Sequence, residues 1–201
     1  MSLPDPYPVR PRSGPLHGSV SVPGSKSLTN RALILAALSP GKVELPGALF
    51  SRDTRLMTEA LQTLGFSVHC NEAHATMTVE GCSGRIPQRE ATLRVGNSGT
   101  TARFLAALVC LSKGGTYRVE GDEEIERRPM QGLLRSLVQA GWAEVEYHRN
   151  EGFIPFTLRT HGIAGGKVTV DPSESSQMLS ALLLAATRAD QPVRIATAGH
   201  S

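Results

Sequence analysis

A repeat of 74 residues is the feature that most limits how this 201-residue chain can fold. Three mostly apolar segments, rich in small residues, begin at residues 26, 100 and 174. They are predicted to be helices: Lys26–Leu38, Thr100–Ser112 and Glu174–Arg188. Each follows one strand-like run and precedes another. Repeats at a fixed period usually mean one supersecondary unit used several times. We therefore expect an α/β chain built from three copies of one unit.

The first two units continue alike, with a second helix and a pair of strands. The second helices are predicted over Asp53–Leu64 and Met130–Ala140, where apolar residues recur at helical spacing. Gly65 and Gly141 follow them, as suits a helix C-terminus. The predicted strands are 19–22, 42–45, 66–70, 76–80, 92–95, 116–120, 143–147, 154–159, 167–170 and 192–197. The unit is thus β-α-β-α-β-β. The third copy reaches β-α-β by Ser201, which indicates an incomplete third unit and a truncated chain.

The two kinds of helix differ in where their apolar residues fall. The first helix of each unit is apolar on nearly every face, as in Ala32–Leu38, and a helix of that kind is buried. The second helices are amphipathic and belong on the outside. The pattern predicts three buried helices surrounded by sheets, with the outer helices covering part of the surface.

Polar residues gather where the three buried helices begin, in Gly24–Ser27, Gly96–Thr101 and Ser173–Gln177. Helix N-termini present unpaired N–H groups and a positive dipole end, which suit phosphate or carboxylate. Taken singly, each serine is better interpreted as an N-cap. Arg31 and Arg103 are harder to explain, because an unpaired charge inside an apolar helix is costly. A bound anion is a reasonable partner for them.

Composition excludes several other classes of function. The chain has 21 basic and 18 acidic residues and 4% aromatic residues, which is too weak a signal for nucleic-acid binding. Its three cysteines form no C-x-x-C pair, which indicates neither a disulfide framework nor a zinc site and suits the reducing cytoplasm. The longest apolar run, Phe104–Leu111, is too short to span a membrane.

Four motifs together resemble the 5-enolpyruvylshikimate-3-phosphate synthase family, whose members are 3-phosphoshikimate 1-carboxyvinyltransferases. The motifs are Pro23–Leu33 (PGSKSLTNRAL), Gly96–Arg103 (GNSGTTAR), Arg128–Pro129 and Ser175–Gln177. They occur in the family's order. Any one motif would be weak, whereas the four in order are highly specific.

The resemblance implies an enolpyruvyl transferase-like fold, an inside-out α/β barrel of repeated units. The family has two such globules, with the active site in the cleft between them. On this basis residues 1–15 are an N-terminal arm that joins the other globule in the family. Residues 16–201 are a truncated N-terminal enolpyruvyl transferase globule, and the second globule is absent from this chain.

The resemblance also implies a reaction of the shikimate pathway, which supplies aromatic amino acids. The enolpyruvyl group of phosphoenolpyruvate moves to the 5-hydroxyl of shikimate 3-phosphate, phosphate is released, and no metal or organic cofactor is required. The residues carried over for shikimate 3-phosphate are Lys26, Ser27, Arg31, Ser175, Ser176 and Gln177. Those carried over for phosphoenolpyruvate are Lys26, Asn97, Gly99, Arg128 and Gln177. Lys26 acts catalytically by stabilising charge, and the acid and base residues lie in the other globule.

Two alternatives remain open at the level of the sequence. One is the sister enolpyruvyl transferase acting on UDP-N-acetylglucosamine, which typically carries a reactive cysteine in the second unit. The corresponding stretch here, Gly121–Arg128, has no cysteine. The other is an isolated half that binds substrate without activity, which is the expectation for these 201 residues alone. The expected partners are the two substrates and the second globule, without nucleic acid or membrane.

Overall fold

The computed structural model describes residues 4–9 and 11–198. Within these residues the α-helices are α1 (Lys26–Leu38), α2 (Arg52–Thr63), α3 (Gly99–Leu108), α4 (Gln131–Gln139) and α5 (Ser176–Ala186). The strands are β1 (Pro40–Pro46), β2 (Ser67–Asn71), β3 (Thr76–Cys82), β4 (Glu90–Arg94), β5 (Lys113–Glu120), β6 (Ala143–Tyr147), β7 (Phe156–His161), β8 (Gly166–Val170) and β9 (Val193–Thr197). The predicted helices are confirmed to within two residues, except that α3 gives way to a 3-10 turn at Val109–Leu111.

The described strands form three sheets that repeat one pattern. In the first sheet, β3 lies between β1 and β2 and is antiparallel to both. In the second, β7 lies in the same way between β5 and β6, and β4 pairs with β5 in parallel. In the third, β8 pairs with β9 in parallel. The second unit therefore shows the whole predicted order β-α-β-α-β-β.

Helix burial departs from the prediction in two of the three units. The middle helix, α3, packs against both α1 and α5, and every residue of α3 is buried. By contrast, Leu28 and Leu35 of α1 and Leu183 of α5 are exposed. These residues are exposed because α1 and α5 lie on either side of α3. Each of the two helices turns one apolar face away from α3, and the described residues leave that face uncovered.

The strand predicted over residues 19–22 is wrong. These residues join no sheet, and Val20 and Val22 are 86% and 80% exposed. In the later units the first strand packs against the outer helix of the preceding unit, β4 on α2 and β8 on α4. Residues 19–22 have no preceding unit among the described residues, so no helix buries their apolar face.

The ends of the outer helices are as predicted. Gly65 and Gly141 follow α2 and α4 with φ values of +88° and +70°. This left-handed backbone costs glycine little, because it has no Cβ. The glycines turn the chain back into the following strands.

The predicted N-terminal arm is exposed wherever the structure describes it, at residues 4–9 and 11–15. Residues 1–3 and 10 of that arm lie outside the described residues. Its attachment to another globule stays a prediction. No helix in the described part of the chain is long and apolar enough to cross a membrane.

The buried core can be checked by thiol labelling. Cys110 is fully buried, and burial raises the pKa of its thiol, whereas Cys70 is exposed and Cys82 partly so. Because the thiolate is the form that reacts, we expect iodoacetamide to label Cys110 roughly 100-fold more slowly than Cys70 in the native protein. Peptide mass spectrometry over time measures both rates. Equal rates in the native protein would contradict this placement of the 3-10 turn that follows α3, and equal rates in denaturant are the control.

Candidate active site

The helices α1, α3 and α5 begin close together, and each is capped by a serine. Ser25, Ser98 and Ser175 accept hydrogen bonds from backbone N–H groups of the following turn. These serines are therefore N-caps, as their residue type alone indicates. The remaining unpaired N–H groups and the positive dipole ends of three helices are left at one place in the molecule.

A cleft of about 360 Å³ lies where the three helices begin. Five of the residues predicted to bind substrate line this cleft: Lys26, Gly99, Arg128, Ser175 and Gln177. Its other lining residues are Asp53, Thr100, Arg103, Pro129 and Glu174. Side chains separated by up to 151 positions in the chain thus share one wall.

Four predicted residues lie outside the lining of the cleft. Ser27 and Ser176 are exposed on the first turns of α1 and α5. Arg31 lies one turn further along α1, where it donates to the Ser27 carbonyl oxygen and to Ser180 Oγ, both at 3.1 Å. Asn97 has a buried Oδ1 with no hydrogen-bond partner among the described residues.

Arg103 is the buried cation of the cleft, with 7% of its surface exposed. Its guanidinium donates to Gln177 Oε1 at 3.0 Å and to the Pro129 carbonyl oxygen at 2.9 Å. Burial lowers the pKa of Arg103, the positive charge of Arg128 lowers it further, and Glu174 opposes the shift. Because the cleft lining carries three basic side chains, Lys26, Arg103 and Arg128, and two carboxylates, those of Asp53 and Glu174, it has an excess of positive charge that an anion would offset.

The Gln177 side chain ties α5 to α3. Its Oε1 accepts from Arg103, and its Nε2 donates to Thr100 Oγ1 at 3.0 Å. Sequence reasoning assigned Gln177 to substrate, whereas here its amide is engaged on both sides within the protein. The amide therefore holds two helix starts at a fixed separation.

Asp53 is a cleft residue that sequence reasoning missed. Its carboxylate lies 3.2 Å from Lys26 Nζ and accepts a hydrogen bond from Ser98 Oγ at 3.2 Å. It therefore links the first turns of α1, α2 and α3. The repeat contained a signal for this residue. Asp53 lies in the first turn of the outer helix of unit one, and the matching place in unit two is Glu126–Pro129, just before the outer helix of that unit.

Gly99 lies close to the two arginines of the cleft. A Cβ atom added to Gly99 would lie 2.7 Å from Arg103 Nη1 and 3.5 Å from Arg128 Nη1. Because glycine has no Cβ, the Arg103 guanidinium can lie this close to the backbone at the start of α3.

The donors of the cleft suit an anion better than a cation. Within the described residues, no group of three or more His, Cys, Asp or Glu is placed to hold a metal ion. Asp53 and Glu174 each lie beside a basic side chain. Basic side chains and three helix N-termini in one cleft are the kind of arrangement that suits phosphate and carboxylate groups.

Comparison with known proteins shows the family of this chain. A family model of EPSP synthase (3-phosphoshikimate 1-carboxyvinyltransferase) matches residues 11–200. The 3-phosphoshikimate 1-carboxyvinyltransferase of Opitutus terrae is 47% identical over 196 residues, which cover 97% of this chain and 45% of that protein. The enzyme of the same name from Nostoc punctiforme is 44% identical, over 88% of this chain and 41% of its own length.

Solved structures show the same fold. EPSP synthase from Acinetobacter baumannii superposes with a TM-score of 0.77 at 25% identity, covering 92% of this chain and 41% of its own. The enolpyruvyl transferase NikO from Streptomyces tendae superposes with a TM-score of 0.57 at 17% identity, over 87% and 39% of the two chains.

Repeated sheets around the inner helices α1, α3 and α5, together with the likeness to solved structures, place the chain in the enolpyruvyl transferase fold class. The four motifs and the family match over residues 11–200 narrow this class further. The chain belongs to the EPSP synthase (3-phosphoshikimate 1-carboxyvinyltransferase) family. It spans less than half the length of the curated relatives it matches.

Proposed function

We propose that this chain provides the anion-binding half of an enzyme that transfers the enolpyruvyl group of phosphoenolpyruvate to the 5-hydroxyl of shikimate 3-phosphate. The observation that carries the proposal is the meeting of Lys26, Arg103 and Arg128 at three helix starts in one cleft. Both substrates carry a phosphate and a carboxylate, which are the groups such a cleft recognises. The names of the relatives favour the same reaction.

The reaction explains why so much positive charge is useful. The methylene carbon of phosphoenolpyruvate gains a proton while the substrate hydroxyl attacks the adjacent carbon and loses its proton. The resulting tetrahedral adduct then loses a proton from its new methyl group and expels phosphate, which forms the carbon–carbon double bond of the enolpyruvyl ether. The adduct holds phosphate and carboxylate groups close together, so fixed Lys and Arg side chains lower its energy and orient both reactants.

The site residues are proposed to divide into one group that binds phosphoenolpyruvate and one that binds shikimate 3-phosphate. Phosphoenolpyruvate is assigned to Lys26, Gly99 and Arg128, with Asn97 and Gln177 shaping the same wall. Support comes from Arg128, which is exposed at the cleft and makes no ion pair within the described residues. Shikimate 3-phosphate is assigned to Lys26, Ser175 and Gln177 of the cleft and to Ser27, Arg31 and Ser176, which lie outside its lining.

A second globule is proposed to close the cleft and to supply the acid and base residues. The side chain of Lys26 is 50% exposed, so charges bound there would be screened by water and salt. Electrostatic stabilisation gains strength when water is excluded. The matched relatives are more than twice as long as the shared segment, which leaves room for such a globule. The free cysteines suit the cytoplasm as the compartment.

The test is a chimera in which this chain replaces the matching segment of the Opitutus terrae relative. We expect the chimera to release phosphate when both substrates are present, and the 201-residue chain alone to release none. Arg128→Ala in the chimera should lower the rate about 100-fold or more, because it removes a charged contact at the reacting anion. Arg159→Ala, on the exposed face of β7, should leave the rate unchanged.

Each outcome of this assay has a distinct meaning. A folded chimera without activity would overturn the proposed reaction. Turnover by the 201 residues alone would overturn the need for a second globule. Activity with UDP-N-acetylglucosamine in place of shikimate 3-phosphate would select the sister transferase instead.

A further inference from the structure

The Arg31 guanidinium is held by one group from each of the three inner helices. On its own helix, Nη1 donates to the Ser27 carbonyl oxygen at 3.1 Å. From α5, Ser180 Oγ accepts from Nη2 at 3.1 Å. From α3, the ring of Phe104 lies beneath the guanidinium, with its centroid 5.4 Å from Cζ. Ser180 and Phe104 lie outside the four motifs.

Each of these contacts has a defined orientation. Phe104 is 1% exposed inside a fully buried helix, so its ring face is a rigid platform. A guanidinium over an aromatic face is attracted by the ring quadrupole, more strongly when water is partly excluded. The Ser180 hydroxyl donates to the Ser176 carbonyl oxygen at 3.2 Å, which directs its lone pairs toward Arg31.

These contacts leave most of the binding capacity of Arg31 unused. A guanidinium has five N–H donors, and two of those of Arg31 are engaged within the described residues. The remaining donors can bind an anion, and the side chain that carries them is already ordered. Holding a flexible side chain in its binding conformation lowers the entropy cost of binding.

We propose that Phe104 and Ser180 are positioning residues that set the Arg31 guanidinium for the anionic groups of shikimate 3-phosphate. The inference rests on the proposed function, which assigns Arg31 to that substrate. A purely structural role for Phe104 predicts that its ring shape matters and its electron density does not. A positioning role predicts that the electron density of the ring affects the affinity even when the ring shape is kept.

The experiment therefore changes the ring's electrons and keeps its shape. Trifluorophenylalanine placed at position 104 weakens the quadrupole without opening a cavity. We expect the affinity of the 201-residue chain for shikimate 3-phosphate, measured by NMR titration, to fall about three- to tenfold. Ser180→Ala should weaken it similarly, because Nη2 loses its acceptor. The affinity for phosphoenolpyruvate and the melting temperature should stay unchanged.

The chain offers a matched control in Phe50, whose ring lies 5.9 Å from Arg55 Cζ. Trifluorophenylalanine at position 50 should leave both affinities unchanged. If position 104 behaves like position 50 while Arg31→Ala abolishes binding, the positioning role is wrong and the proposed function stands. If Arg31→Ala itself keeps normal affinity, the assignment of Arg31 to this substrate fails, and the positioning role fails with it.

Discussion

Replacing Arg31 with alanine is expected to lower the affinity for shikimate 3-phosphate about 100-fold or more. The substitution removes the N–H donors that remain free for an anion, and charged hydrogen bonds to buried or partly buried anions are strong. The native fold should survive, because Arg31 is partly exposed and its two hydrogen bonds go to uncharged oxygen atoms. NMR or calorimetric titration of the chain with shikimate 3-phosphate measures the effect.

A matched change of charge gives the control for this prediction. Arg118→Ala on β5 removes one positive charge from an exposed ion pair with Glu120, and neither residue lines the cleft. It should leave the affinity within about twofold, since exposed ion pairs contribute little. If both substitutions weaken binding equally, net charge rather than a defined contact explains the affinity, and the assignment of Arg31 is wrong.

Gly99→Ala is expected to weaken phosphoenolpyruvate binding about tenfold or more, with less than about threefold effect on shikimate 3-phosphate. The new methyl group would lie 2.7 Å from Arg103 Nη1, which is closer than van der Waals contact allows. Arg103 can retreat only by stretching its bonds to Gln177 and to the Pro129 carbonyl oxygen. The methyl group also occupies space beside Arg128 that the proposed ligand needs.

The two affinities are measured separately on the same preparation. Gly18→Ala is the control, because a Cβ atom at Gly18 would have no heavy atom within 4 Å. Equal weakening of both ligands by Gly99→Ala would mean that the substitution disturbs the whole helix start. That result would contradict the placement of phosphoenolpyruvate at Gly99.

The helices could be predicted from sequence because their signals are local. Lys26–Leu38 has the same bounds in the prediction and in the structure, since the Ser25 cap and the apolar run that follows lie within a few residues of each other. The same holds for Gly65 and Gly141, where a positive φ is needed directly after a helix. The 74-residue repeat gives the inner helix three times and the outer helix, with its following glycine, twice.

The strand predicted at residues 19–22 could not be tested by local sequence signals alone. The alternating valines of this segment have the period of a strand. However, a strand also needs a helix to pack on and a neighbouring strand to pair with. β4 and β8 find that helix in the preceding unit, whereas residues 19–22 find none among the described residues. Exposed faces on α1 and α5 have the same origin, because burial depends on neighbours and not on composition.

By itself the sequence determined the repeat, the helix starts, the family and the residue types that bind anions. The tertiary structure alone decided which of those residues meet. Asp53 reaches Lys26 across 27 positions, and Ser180 reaches Arg31 across 149. Local patterns extend over a few residues along one helix, whereas these contacts depend on how three helices pack around α3. The charge, ring and hydroxyl that orient the proposed site therefore become neighbours only when the whole domain has folded.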